Sequence, residues 1–83
     1  MDSNNTLSKY GVIGAGSFGL AIANLLAENG NVLIYARNEQ QVKDININHL
    51  SKNYVMKEAV IATNDLKTIA AECQLIFPIV PSN

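Results

Sequence analysis

The chain holds one cysteine, one histidine, two prolines and no tryptophan in 83 residues. A lone cysteine excludes a disulfide frame, and with a single histidine no Cys/His cluster can hold a metal. Cys73 lies among apolar neighbours late in a helix-like stretch, which assigns it to inert packing. His49 falls in a polar loop and is given no catalytic task. Charge is also scarce. Six Lys and Arg against seven Asp and Glu leave a net charge of −1 with no basic cluster, so neither nucleic acid nor an anionic membrane surface is an expected partner. No apolar run approaches the roughly 18 residues of a membrane span. The polar start, Met1-Asp2-Ser3-Asn4-Asn5-Thr6, lacks the basic-then-apolar layout of a secretory signal, and a cytoplasmic location is expected. No nucleophile–base pair and no ligand cluster is visible, so neither catalytic residues nor metal ligands are expected within the chain.

What the chain does have is apolar content, 48% against 16% charged residues, the composition of a core former. A chain of this length makes at most one small domain, burying about 60% of its unfolded surface. Its most informative stretch is Tyr10-Gly11-Val12-Ile13-Gly14-Ala15-Gly16-Ser17-Phe18-Gly19. A short apolar run ends in G-x-G-x-x-G and a helix-like segment follows, the pattern of a phosphate-gripping turn in a dinucleotide-binding βαβ unit. Gly14 lets the chain reverse on leaving the strand. Gly16 has no Cβ to keep a pyrophosphate off the backbone, and Gly19 lets the helix pack close. The free N–H groups of the first helical turn would receive the phosphate.

The segment Ser17–Asn29 carries a helical stripe at Phe18, Ala21, Ile22, Leu25 and Leu26, with Gly30 as its expected C′ residue. Val32-Leu33-Ile34-Tyr35 reads as a strand buried on both faces. Tyr35-Ala36-Arg37-Asn38 follows, with no carboxylate before Glu39 to bond a ribose 2′-hydroxyl. Arg37 could instead meet a 2′-phosphate or stack on adenine, which favours NADP(H) while leaving NAD(H) open. Asn38-x-x-Gln41 also forms a capping-box pattern. A second helix is expected over Asn38 to about Asn48 with Val42 and Ile45 inward, and an Asn-rich loop over Asn46 to Asn53. A third strand is expected at Ala59–Ala62. A third helix should run from an Asn64 or Asp65 cap to about Cys73, with Leu66, Ile69 and Ala70 facing the sheet. Leu75–Val80 reads as a fourth strand. The fold class is therefore α/β, a Rossmann-type doubly wound parallel sheet with right-handed crossovers, incomplete at about four strands and three helices.

The blocks Val12–Gly19, Tyr35–Asn38, Ala62-Thr63-Asn64-Asp65-Leu66 and Val80-Pro81-Ser82 resemble the amino-terminal part of bacterial NAD(P)-dependent glycerol-3-phosphate dehydrogenase. The likeness runs from about Lys9 to the end, in the family's order and near its spacing. It implies an oxidoreductase that reduces dihydroxyacetone phosphate to sn-glycerol 3-phosphate for phospholipid synthesis. Cofactor-binding positions implied are Gly14, Gly16, Ser17, Phe18 and Gly19 in the turn, Arg37 at the adenosine end, and Tyr54 of an H-x-N-x-x-Y-L-P-G segment. Residues 1–83 would be the first part of the dinucleotide-binding domain, without the carboxy-terminal substrate domain and the family's later lysines. On that reading the chain alone is inactive, and triose phosphate and a homodimer belong only to a full-length enzyme.

Departures from the family pattern fall at Ser51, where the segment has asparagine, and at Val55-Met56-Lys57, where it has Leu-Pro-Gly. The turn Gly30-Asn31-Val32 is one residue shorter than usual, and Pro78 falls inside the expected fourth strand, where it would be unwelcome in a central position. Two other readings stand beside the first: part of another 6-phosphogluconate-dehydrogenase-like oxidoreductase, or a non-catalytic nucleotide-binding module.

Overall fold

The structure is a computed structural model that describes residues 9–79. The polar start and the Val80-Pro81-Ser82 block lie outside the described residues. Strand β1 (Lys9–Ile13) leads into helix α1 (Ser17–Leu26), strand β2 (Asn31–Tyr35) and the short helix α2 (Glu39–Lys43). The chain continues as one π-helical turn, Asp44–Asn48, and a small hairpin of β3 (Leu50–Ser51) and β4 (Tyr54–Val55). Strand β5 (Val60–Thr63), helix α3 (Leu66–Glu72) and strand β6 (Leu75–Pro78) complete it. The four longer strands form one parallel sheet in the order β5-β2-β1-β6. The chain thus builds outward from β1 through β2 to β5, then returns to the other side of β1. That reversal, between β1 and β6, is the topological switch point, at whose carboxyl ends doubly wound sheets bind their ligands.

The two faces of the sheet follow from adjacent residues of β1. A Cβ on Gly11 would meet Ile69 Cγ2 at 2.7 Å and Cys73 Sγ at 3.1 Å, so α3 packs on that face. Val12 points the other way and lies under Gly19 of α1. Helices on both faces make the sheet doubly wound, as expected. The main core lies on the Val12 face, where Val12, Leu20, Ala23, Val32, Ile34, Ile45, Met56, Val60 and Ala62 are buried together. The α3 face is thinner, with Leu33 and Ile69 buried but Ile61 46% exposed.

Several expectations are corrected. Helix α1 buries Gly19, Leu20 and Ala23, while Phe18 and Leu25 are 66% and 62% exposed. Apolar residues line most of this helix, so hydrophobicity alone does not select a face. Small residues do, because they let the helix lie close to β1. The helix also stops at Leu26. Ala27–Asn29 forms a tighter turn, with Asn29 N–H donating to Leu26 C=O at 2.9 Å, and Gly30 has no left-handed φ, so it is not the C′ residue. In α3 only Ile69 is buried, and Leu66 and Ala70 are exposed, because a seven-residue helix lays a single turn on the sheet. Asp65, of the two candidates, is its cap, accepting from Lys67 N–H at 2.9 Å.

The expected loop over residues 46–53 is instead the end of the π turn plus the hairpin. His49 closes the π turn in the left-handed region (φ 56°), and its carbonyl accepts from Met56 N–H at 2.7 Å. Two asparagines fix this segment. Asn24 of α1 donates to Val55 C=O (3.0 Å) and accepts from Lys57 N–H (2.9 Å). Asn46 does the same for Ala62 on the outer edge of β5, at 3.0 and 2.7 Å. Pro78 ends β6 opposite Ile13. Ile79 N–H makes the bond to Ile13 C=O at 2.9 Å, so the donor that Pro78 lacks belongs to the open side of the strand. There the proline removes a template group from the edge.

Candidate functional site

The glycine turn lies at the carboxyl end of β1, at the topological switch point. Gly14 has φ +118°, a conformation side chains rarely adopt, and a Cβ there would meet Ile79 C=O at 2.8 Å. The turn is thus pressed against the end of β6. Gly19 serves the packing role expected of it, since a Cβ there would overlap the Gly14 carbonyl. Gly16 differs in kind: a Cβ would meet nothing within 4 Å. Its bare backbone faces open space and does not make room for any other part of the protein.

Gly16 is also the N-cap of α1, and no side chain caps that helix. The first-turn N–H groups, at Ser17, Phe18 and Gly19, lack intrahelical acceptors and carry the positive end of the dipole. Leu20 N–H is the first to bond back, to Gly16 C=O at 2.9 Å. Ser17 and Phe18 are exposed beside them. An anion could approach this turn to backbone distance with no Cβ in its way, which is what a pyrophosphate needs. The residues present fit a dinucleotide.

Arg37 follows β2 at the same edge of the sheet and is exposed, with no hydrogen-bond or ion-pair partner among the described residues. The neighbouring Asn38 is occupied as the cap of α2, accepting from Gln40 and Gln41 N–H at 2.8 and 3.2 Å. The reciprocal half of the capping box is absent. Gln41 Nε2 donates instead to Ala15 C=O at 2.9 Å and to Ser51 Oγ at 2.8 Å. Ser51 is buried, and Tyr54, its partner in the hairpin register, is half-buried against the core. The structure therefore brings the glycine turn, the α2 start and the hairpin together through Gln41. The capping pattern singles out this residue in the sequence but has its side chain accepting from Asn38 N–H, whereas here it donates to Ala15 and Ser51.

Elsewhere the chemistry is sparse. Cys73 follows α3, and burial pushes its thiol pKa up, with Lys9 opposing and Glu72 adding to the rise, consistent with inert packing. A cavity of about 360 Å³ opens at the opposite, amino edge of the sheet, lined in part by Lys9, Asn31, Glu58 and Glu72. Its two carboxylates disfavour a phosphate, and Lys9 is already paired with Glu72 at 2.8 Å. Among the described residues no group of three or more His, Cys, Asp or Glu could hold a metal. No helix among them is long and apolar enough to cross a membrane.

Comparison with known proteins gives a consistent result. The family profile described as NAD-dependent glycerol-3-phosphate dehydrogenase N-terminus matches residues 9–83. A glycerol-3-phosphate dehydrogenase (NAD(P)+) of Staphylococcus haemolyticus is 45% identical over 69 residues, covering 77% of this chain and 21% of that protein. The enzyme of the same name from Limosilactobacillus fermentum is 35% identical over 81 residues, covering 92% and 24%. The crystal structure of glycerol-3-phosphate dehydrogenase from Coxiella burnetii superposes with a TM-score of 0.75 at 28% identity, over 94% of this chain and 26% of that one. The chain thus spans between a fifth and a quarter of the length of the curated relatives it matches.

Proposed function

The chain belongs to the family of the NAD-dependent glycerol-3-phosphate dehydrogenase N-terminus, and we propose that it forms the dinucleotide-holding part of such an enzyme. Residues 1–83 are then the first portion of its Rossmann domain. The observation that carries this reading is the open space over Gly16 beside the uncapped start of α1. Gly14 sets the turn, Gly16 clears the pyrophosphate, and Ser17 and Phe18 offer it their N–H groups, with Gly19 holding the helix in place. Arg37 takes the adenosine end and favours NADP(H) over NAD(H), and Tyr54 borders the site from the hairpin. When bound, the nicotinamide supplies the hydride for reducing dihydroxyacetone phosphate to sn-glycerol 3-phosphate, a cytoplasmic step toward phospholipids. The base and the triose-phosphate contacts come from residues other than these, so the chain alone is inactive, and dimerisation belongs to the longer enzyme.

Calorimetric titration with 2′,5′-ADP tests the assignment. The wild-type chain binds, and Arg37→Ala weakens binding about tenfold or more, the size of a lost charge-assisted hydrogen bond. Equal affinity in both proteins removes Arg37 from the site. Measurable turnover of NADPH and dihydroxyacetone phosphate by the 83-residue chain would overturn the division of labour.

A further inference from the structure

We infer that Gln41 is a positioning residue for the dinucleotide, holding the glycine turn in its receptive shape from behind. The inference rests on the dinucleotide reading above and adds the device that makes the turn rigid. Ala15 sits between Gly14, with its left-handed φ, and Gly16, whose backbone must meet the pyrophosphate. A turn rich in glycine has many accessible conformations, and ordering it when a ligand arrives costs affinity. One side chain limits that freedom here. Gln41 Nε2 carries two protons and uses both, one on Ala15 C=O at 2.9 Å and one on Ser51 Oγ at 2.8 Å. Ser51 is a fixed anchor, being 5% exposed and paired with Tyr54 in the hairpin. The hairpin is in turn tied to α1 through Asn24. The backbone of Gln41 is held as well, because its N–H is capped by Asn38, next to Arg37. Through one carboxamide the pyrophosphate turn, the start of α2 after Arg37 and the Tyr54 hairpin keep a common geometry. A bond from a distant side chain to a carbonyl inside the turn does nothing for the helix that Gln41 sits on, so its consequence is for the turn.

The test uses NADPH titration and site-resolved amide hydrogen exchange on the 83-residue chain, its Gln41→Leu variant and its Ser51→Ala variant. Gln41→Leu keeps the side chain's bulk and removes both donors. It is expected to weaken NADPH about tenfold, the effect of one net hydrogen bond, and to speed exchange at Leu20, whose N–H bonds the Gly16 carbonyl of the turn, while Val32 and Ile34 exchange as in wild type. Ser51→Ala leaves the Ala15 bond but loosens its anchor, and a smaller loss of about threefold is expected. Wild-type affinity in Gln41→Leu overturns the inference. So does a loss matched by faster exchange at Val32 and Ile34, which marks general destabilisation. Should Gln41→Leu fail to fold, Ser51→Ala decides by the same two readouts. A wild-type chain that binds no NADPH refutes the dinucleotide reading itself, a result distinct from unequal or equal binding among the variants.

Discussion

Alanine at Gly16 and alanine at Gly19 should have opposite consequences, although the two glycines stand three residues apart in one motif. At Gly16 the new Cβ enters open space, and the backbone, at φ −77° and ψ −178°, is one that alanine adopts without strain. Losing glycine at a helix N-cap costs about 0.5–1 kcal/mol, and the stiffer unfolded chain returns about 0.4–1 kcal/mol. The net change in stability is therefore within about 0.5 kcal/mol of zero. A methyl group forced against a bound pyrophosphate carries an overpacking penalty of about 1–3 kcal/mol, so NADPH affinity should fall roughly 5- to 150-fold. At Gly19 the Cβ would overlap the Gly14 carbonyl, backbone against backbone, so α1 must lift from β1. That separation should cost about 3 kcal/mol or more, a large part of a small domain's stability. Urea unfolding measures the first quantity and fluorescence titration with NADPH the second. A Gly16→Ala variant that unfolds as easily as Gly19→Ala, or that binds NADPH like wild type, would refute the assignment of separate roles.

Other outcomes follow from the same geometry. Asn46→Ala strips both partners from Ala62 on the edge of β5 and should lower unfolding stability by about 1–3 kcal/mol, read from the urea midpoint. Pro78→Val restores a donor on the open side of β6, where Leu75, Ile76 and Phe77 are all exposed. Light scattering on incubation should rise above wild type, and an unchanged signal would show that the proline does not protect this edge. Because the folded chain raises the Cys73 thiol pKa, the protonated form is favoured by folding. Stability is then fully present below the ordinary thiol value of 9.0 and declines as pH rises through it, while maleimide labelling under mildly alkaline conditions should run slower than in the unfolded chain.

The parts of the fold that were legible in the sequence are those with a long or stereochemically demanding signal. Gly14 and Gly19 each answer a separate steric demand of the fold, and the alternation of apolar runs with helical segments implies a parallel sheet. The hairpin was not legible because its strands are two residues each, too short for any alternation to register. The carboxamide of Asn24 ties it to α1 and that of Asn46 ties the preceding turn to β5, and nothing in a polar asparagine announces which backbone it will bond. The buried face of α1 misled for the opposite reason: apolar residues are too plentiful, and Gly19 and Ala23 decide the face by being small. Gly11 was passed over altogether, although its missing Cβ is what lets Ile69 and Cys73 approach β1. The glycine turn and Arg37 stand out in the sequence by spacing and residue type, while the link from Gln41 to Ala15 spans 26 residues and follows from the fold alone.

The central claim is that the turn at the carboxyl end of β1, with the uncapped start of α1, is where a dinucleotide's phosphates lie. Titrating isotope-labelled chain with NADPH and following backbone amide resonances tests it residue by residue. The largest shifts are expected at Gly14, Gly16, Ser17, Phe18 and Gly19, with a second group at Arg37 and Asn38. Shifts concentrated instead at Lys9, Asn31 and Glu58, around the cavity on the opposite edge, would contradict it, as would saturable binding that leaves the Gly16 and Ser17 amides unmoved.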